Sequence, residues 1–89
     1  MARRSRPFWW EWDLELSEHV LDRMKDRGFT ALDLRGMLGR ATSISHDIVP
    51  GRWVARTRLR RKPWELIIAP VHDERILLVI TAYCVSMGH

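Results

Sequence analysis

The stretch TALDLRGMLGRATSISH, Thr30–His46, changes its hydrophobic period half-way. Leu34, Met37 and Leu38 recur at helical spacing, Thr30 and Asp33 have the capping-box separation, and Gly39 stands where a helix stops. From Thr42 onward apolar and polar residues alternate, which is the period of a strand. Reading back toward the N-terminus, Ser17 is a good N-cap, Val20, Leu21 and Met24 share a face, and Gly28 fits the left-handed position that closes a helix over residues 18–27. Reading forward, Pro50-Gly51, the Arg61-Lys62-Pro63 corner and His72-Asp73-Glu74 divide the remainder into four strands near 43–48, 52–60, 64–69 and 75–84. Short connections make neighbouring strands antiparallel. The predicted fold is therefore α+β, an N-terminal αα-hairpin packed on a β-meander of about four strands.

The segment before the first helix also alternates, with Trp10, Trp12, Leu14 and Leu16 on one parity and Glu11, Asp13 and Glu15 on the other. It reads as an extra strand, as an arm over the core, or, with three tryptophans in four residues, as a partner-binding patch. As a strand it would pair beside the last one, which would explain why that strand is apolar on both parities, Ile76, Leu78 and Ile80 against Leu77 and Val79, as a central strand is. The last strand's second face calls for a cover, which the arm, a partner protein or a second copy of the chain would supply. The chain divides into a basic, Trp-rich arm or strand over 1–13, one domain over 14–84 and a tail over 85–89.

A chain of 89 residues with 46% hydrophobic content holds one core, since domains of this size bury roughly 60–70% of their unfolded surface. One cysteine excludes a disulfide framework, and Cys84 reads as core packing. No apolar run approaches the roughly 18 residues of a membrane span, and Arg3-Arg4-Ser5-Arg6 leads into too short an apolar stretch for a signal peptide. The expected setting is cytoplasmic, away from membranes. The histidines, His19, His46, His72 and His89, are scattered, only Glu15 and His19 have even a weak ligand spacing, and the glycines match no phosphate loop, so neither metal nor cofactor is expected. Basic residues outnumber acidic ones 15 to 11, and 13 of the 15 are arginine. Guanidinium forks fit phosphate bidentately and stack on bases, which makes RNA the leading partner.

Three groups of residues carry that reading. His19, Arg23 and Arg27 stand at i, i+4 and i+8 of the first helix, a stripe beside its apolar face. The second group is the strand from Arg52 to Arg60, which places Arg52, Arg56, Arg58 and Arg60 on one parity, extended by Arg61 and Lys62 at the turn. Thr81 and Tyr83 share a parity at the end of the last strand and form the third. Metal-free RNA cleavage needs a group that exchanges protons with the 2′-hydroxyl and the leaving 5′-oxygen, and cations for the phosphate in between. His19 is the candidate acid or base, Arg23 and Arg56 the candidate phosphate stabilisers, and Tyr83 the positioning or proton-donating phenol. Arg27, Arg52, Arg58, Arg60, Arg61, Lys62 and Thr81 complete the candidate RNA-binding set.

The run Ser17-Glu18-His19-Val20-Leu21-Asp22-Arg23-Met24-Lys25-Asp26-Arg27-Gly28 resembles an uncharacterised small-domain family that opens S-x-H-x-x-x-R-M-x-x-R-G and closes on a strand like Leu78-Val79-Ile80-Thr81-Ala82-Tyr83. Trp10-Glu11-Trp12-Asp13 is similar to the start of BrnT toxins. Both groups are regarded as relatives of the RelE/ParE toxins, and the resemblance implies a RelE-like fold and toxin-type endoribonuclease activity in a toxin-antitoxin system. It places His19, Arg23, Arg27, Thr81 and Tyr83 at matched positions. A non-catalytic module that binds nucleic acid or protein, and a gyrase-directed toxin, are the alternatives that the sequence leaves open.

Overall fold

The computed structural model describes residues 6–85. The first five residues of the predicted arm and residues 86–89, His89 among them, lie outside the described residues. The chain opens with a 3-10 turn at Phe8–Glu11, then β1 (Asp13–Leu16), α1 (Glu18–Arg27), α2 (Ala31–Gly39), β2 (Ser43–His46), β3 (Trp53–Leu59), β4 (Lys62–Val71) and β5 (Ile76–Cys84). The sheet order is β1-β5-β4-β3-β2.

This architecture corrects the predicted RelE-like hairpin on a four-stranded antiparallel meander. The sheet has five strands and is mixed, because β1 pairs parallel to β5, Leu14 beside Leu77 and Leu16 beside Val79. The helices form a β1-to-β2 excursion laid across a sheet that already contains the N-terminal strand. Helix α1 packs on β5 and α2 on β3. The strand apolar on both parities, β5, is an interior strand, flanked by β1 and β4, and the alternating segment ahead of α1 supplies the outer neighbour.

Helix boundaries follow the predicted caps. Ser17 Oγ accepts from the Val20 amide, Gly28 closes α1 at φ 72°, and Thr30 and Asp33 form a reciprocal capping box. Ser17 does more than cap. Its amide donates to Val79 O at 3.1 Å and its hydroxyl donates to Ile80 O at 2.6 Å. Those carbonyls lie at a bulge, where Ile67 and Ile68 face Thr81 and Val79 and leave Ile80 unpaired. One serine thus ties the end of β1, the kink in β5 and the start of α1 together.

Another correction concerns the turn placed at 61–63. The β3–β4 hairpin closes on Leu59 and Lys62, with Arg60 at φ 53° and Arg61 at φ 69° between them. Positive φ at both central positions is the type I′ pattern that Asn-Gly usually supplies. Pro63 lies inside β4, opposite Arg58, where its missing N–H faces away from β3 and its carbonyl accepts from the Val85 amide at 2.8 Å.

The core lies between the helices and one sheet face. Val20, Leu34, Met37, Leu38, Ala55, Leu66, Ile68, Leu77, Val79 and Ala82 are fully buried there. Trp9 and Trp10 join them, so the tryptophan-rich segment covers core. The indole N–H of Trp10 donates to Leu38 O, Arg6 donates to Leu38 O and Gly39 O while lying 5.1 Å over the Trp10 ring, and Arg35 donates to the Trp10 and Trp12 carbonyls. The bonds from Trp10 and Arg6 satisfy carbonyls that α2 leaves open at its C-terminus, and those from Arg35 tie the 3-10 turn to α2. The other sheet face carries no helix. Its far half is apolar, with Val54, Ile67, Ala69, Val71, Ile76 and Leu78 on one parity of the pairing, Ile67 buried and the others half-buried.

Candidate nucleic-acid interface

The β3–β4 hairpin gathers cations at one end of the sheet. Arg56 and Arg58 project from the uncovered face, on the parity opposite to the buried Ala55, Thr57 and Leu59. Arg60 leaves that row. The left-handed turn sends its side chain to the helix side, where it donates to Gly28 O at 2.9 Å and pairs with Asp33 at 3.6 Å. Arg61 and Lys62 are exposed at the tip. From α2, Arg40 Nε donates to Arg58 O, and Arg27 reaches the same end because α1 finishes beside Arg60. Among the described residues only Arg56 and Arg60 have carboxylate partners.

The row of arginines predicted along one strand face is therefore a cluster around a hairpin tip. Arg52 lies outside it. That residue precedes β3, and its carbonyl accepts from the Asp47 amide at the opposite end of the strand.

A shorter chain of contacts occupies the uncovered face. Arg56, Glu65 and Tyr83 are neighbours on β3, β4 and β5. Arg56 Nε donates to Glu65 Oε2 at 3.1 Å, and the Tyr83 hydroxyl donates to Glu65 Oε1 at 2.6 Å. Thr81 sits one pair further along the same face, opposite Ile67. Glu65 is a functional candidate that the set predicted from the sequence does not contain. A two-residue turn centred on Arg60-Arg61 pairs Arg56 with Glu65, whereas a corner at 61–63 hides that pair. Two arginines are poor predictors of a type I′ turn, so nothing in the sequence announces that pairing.

Tyr83 is no readier acid than an ordinary phenol. The hydrogen bond to Glu65, helped by burial, pushes its pKa up to about 12. The folded-state value thus lies above the usual 10, so the bond stabilises the fold fully below about pH 10 and loses its effect as pH rises through about 12. The chain contains one tyrosine, so its phenolate absorbance near 295 nm reports this group alone. We expect a midpoint near pH 12, returning to about 10 in a Glu65→Gln variant. A wild-type midpoint at 10 shows the bond to be absent in solution.

His19 and Arg23 lie elsewhere. Both are on α1, on the helix side of the sheet, and His19 is exposed in the first turn, roughly 12 Å along the helix axis from Arg27. The structure joins Arg56 to Tyr83 and Arg27 to Arg60, and leaves His19 with neither pair. Among the described residues no group of three or more His, Cys, Asp or Glu converges as metal ligands, and no helix is long and apolar enough to cross a membrane.

No family model, curated protein or solved structure matches the chain. The functional reading rests on its own residues and their geometry. Two pockets flank the hairpin: one of about 280 Å³ takes in Arg56, Arg58, Pro63, Glu65 and Val85, and one of about 220 Å³ takes in Arg27, Arg60, Lys62 and Cys84. Trp64 lines both.

Proposed function

We propose that the protein binds RNA at the hairpin end of its sheet and cleaves it there without a metal, as a toxin-like endoribonuclease. The observation that carries this reading is the gathering of Arg27, Arg40, Arg56, Arg58, Arg60, Arg61 and Lys62 around one tip, with Asp33 and Glu65 their only ion-pair partners among the described residues. Like charges held together repel unless anions neutralise them, and the phosphates of a nucleic-acid strand are anions that several clustered cations can meet at once. The turn adds weight. Two arginines hold left-handed conformations that cost each roughly 1–2 kcal/mol, strain of the kind that collects at functional sites.

In this reading the 2′-hydroxyl attacks the adjacent phosphorus, forming the 2′-O–P bond and breaking the bond to the 5′-oxygen. Glu65 takes the 2′ proton, and the leaving 5′-oxygen takes one from solvent. Arg56 and Arg58 face the charge of the pentacovalent phosphate, and Tyr83 holds the carboxylate in place. The second reading, binding without cleavage, is favoured by the placement of the described histidines away from this cluster: His19 is on α1, His46 lies against Trp53 and His72 against Phe8 and Trp12.

Purified protein incubated with single-stranded RNA is expected to release fragments with 2′,3′-cyclic phosphate ends, and Glu65→Gln is expected to slow this by about two orders of magnitude or more. His19→Ala is the companion variant, and loss there but not in Glu65→Gln returns the acid-base role to His19. RNA bound and left intact identifies a binding module, and RNA neither bound nor cut removes the proposal.

A further inference from the structure

The pocket on the helix side of the hairpin differs in shape and charge from the open face where cleavage is placed. Its floor is apolar: Leu59 and Trp64 are buried at 5% and 7% exposure, and the Cys84 side chain completes it. Its rim carries Arg27, Arg60 and Lys62. Asp33 engages Arg60 at 3.6 Å, and Arg27 and Lys62 have no ion-pair partner among the described residues, which leaves two positive charges in surplus.

A phosphodiester within a strand brings one negative charge and needs an exit for the chain on both sides. A terminal phosphomonoester brings about −1.5 to −2 charges at neutral pH and needs one entrance. The volume, about 220 Å³, and the doubly positive rim over an apolar floor suit the second, whose charge matches the two surplus cations. Guanidinium and ammonium donors on one rim also supply the charge-assisted bonds that favour a dianion.

We propose that this pocket binds a phosphomonoester, the terminal phosphate of an RNA strand or of a free nucleotide. The inference builds on the RNA-binding reading and adds an end-recognition site to it. The test uses 2′-O-methyl oligonucleotides, which cannot undergo 2′ attack, bearing a 5′-phosphate, a 3′-phosphate or hydroxyls at both ends. One phosphorylated form is expected to bind at least about tenfold more tightly than the hydroxyl form, the scale of one charge-assisted bond, and Arg27→Ala is expected to erase that ratio. Because Cys84 is the one cysteine of the chain and lines the pocket, its alkylation rate reports occupancy directly, and inorganic phosphate or a nucleoside monophosphate is expected to slow it. Equal affinity for all three oligonucleotides overturns this inference and leaves the RNA reading standing. Failure of every oligonucleotide to bind while the monophosphate shields Cys84 overturns the RNA reading and keeps the pocket. Neither binding nor shielding overturns both.

Discussion

Replacing three hairpin cations together, Arg58→Thr, Arg61→Gly and Lys62→Thr, is expected to weaken binding of single-stranded RNA by about a hundredfold or more while leaving the fold at least as stable. The binding loss follows from removing three side chains that have no carboxylate partner among the described residues. If each meets one phosphate, the plot of log affinity against log salt becomes shallower by about 2. The stability gain follows from Arg61, whose φ of 69° suits glycine. Relieving it offsets the hydrogen bond from Arg58 to Arg61 O and the added backbone freedom of the unfolded chain. Threonine keeps the strand propensity of Arg58 and Lys62. Anisotropy titrations across a salt series and a urea melt check both halves. Unchanged affinity and slope in a folded variant would remove the hairpin from the interface.

Trp10→Ala is expected to destabilise the domain by about 3–5 kcal/mol, a large share of the roughly 5–15 kcal/mol by which small domains are stable. The indole is 3% exposed, lies under Arg6 and donates to the Leu38 carbonyl at the end of α2. Its removal opens a cavity and takes one donor from that carbonyl, which keeps Arg6 and the Ala41 amide. Trp10→Phe keeps much of the volume and loses the N–H, so about 1 kcal/mol isolates the hydrogen bond. A urea melt of the two variants separates the contributions. A Trp10→Ala protein within 1 kcal/mol of the parent would mean that the 3-10 turn does not cover the core in solution, and the tryptophan-rich segment would again be free for a partner.

The caps show how far local chemistry reaches. Ser17, Gly28, Thr30 and Asp33 act through bonds to residues within four positions, and α1 and α2 stand where those residues place them. The hairpin shows where such reading stops. Nothing intrinsic to Arg60-Arg61 announces a left-handed turn, so the corner fell two residues late and Glu65 went unmatched with Arg56 and Tyr83. Alternation also misled at Arg60. Period two holds only while the strand continues, and positive φ at the turn carries that side chain to the opposite side of the sheet.

By itself the sequence determined the helix limits, the α+β class, the central place of β5 and an arginine-rich charge suited to phosphate, since each depends on local propensity, hydrophobic period or composition. Only the tertiary structure decided that β1 runs parallel beside β5, that Trp9 and Trp10 belong to the core, that His19 stands apart from Arg56 and Tyr83, and that Arg27 meets Arg60 and Lys62 around one pocket. Those four outcomes depend on contacts between residues distant in the chain, and such contacts are set by which surfaces must be buried together, a choice that no window of neighbouring residues contains.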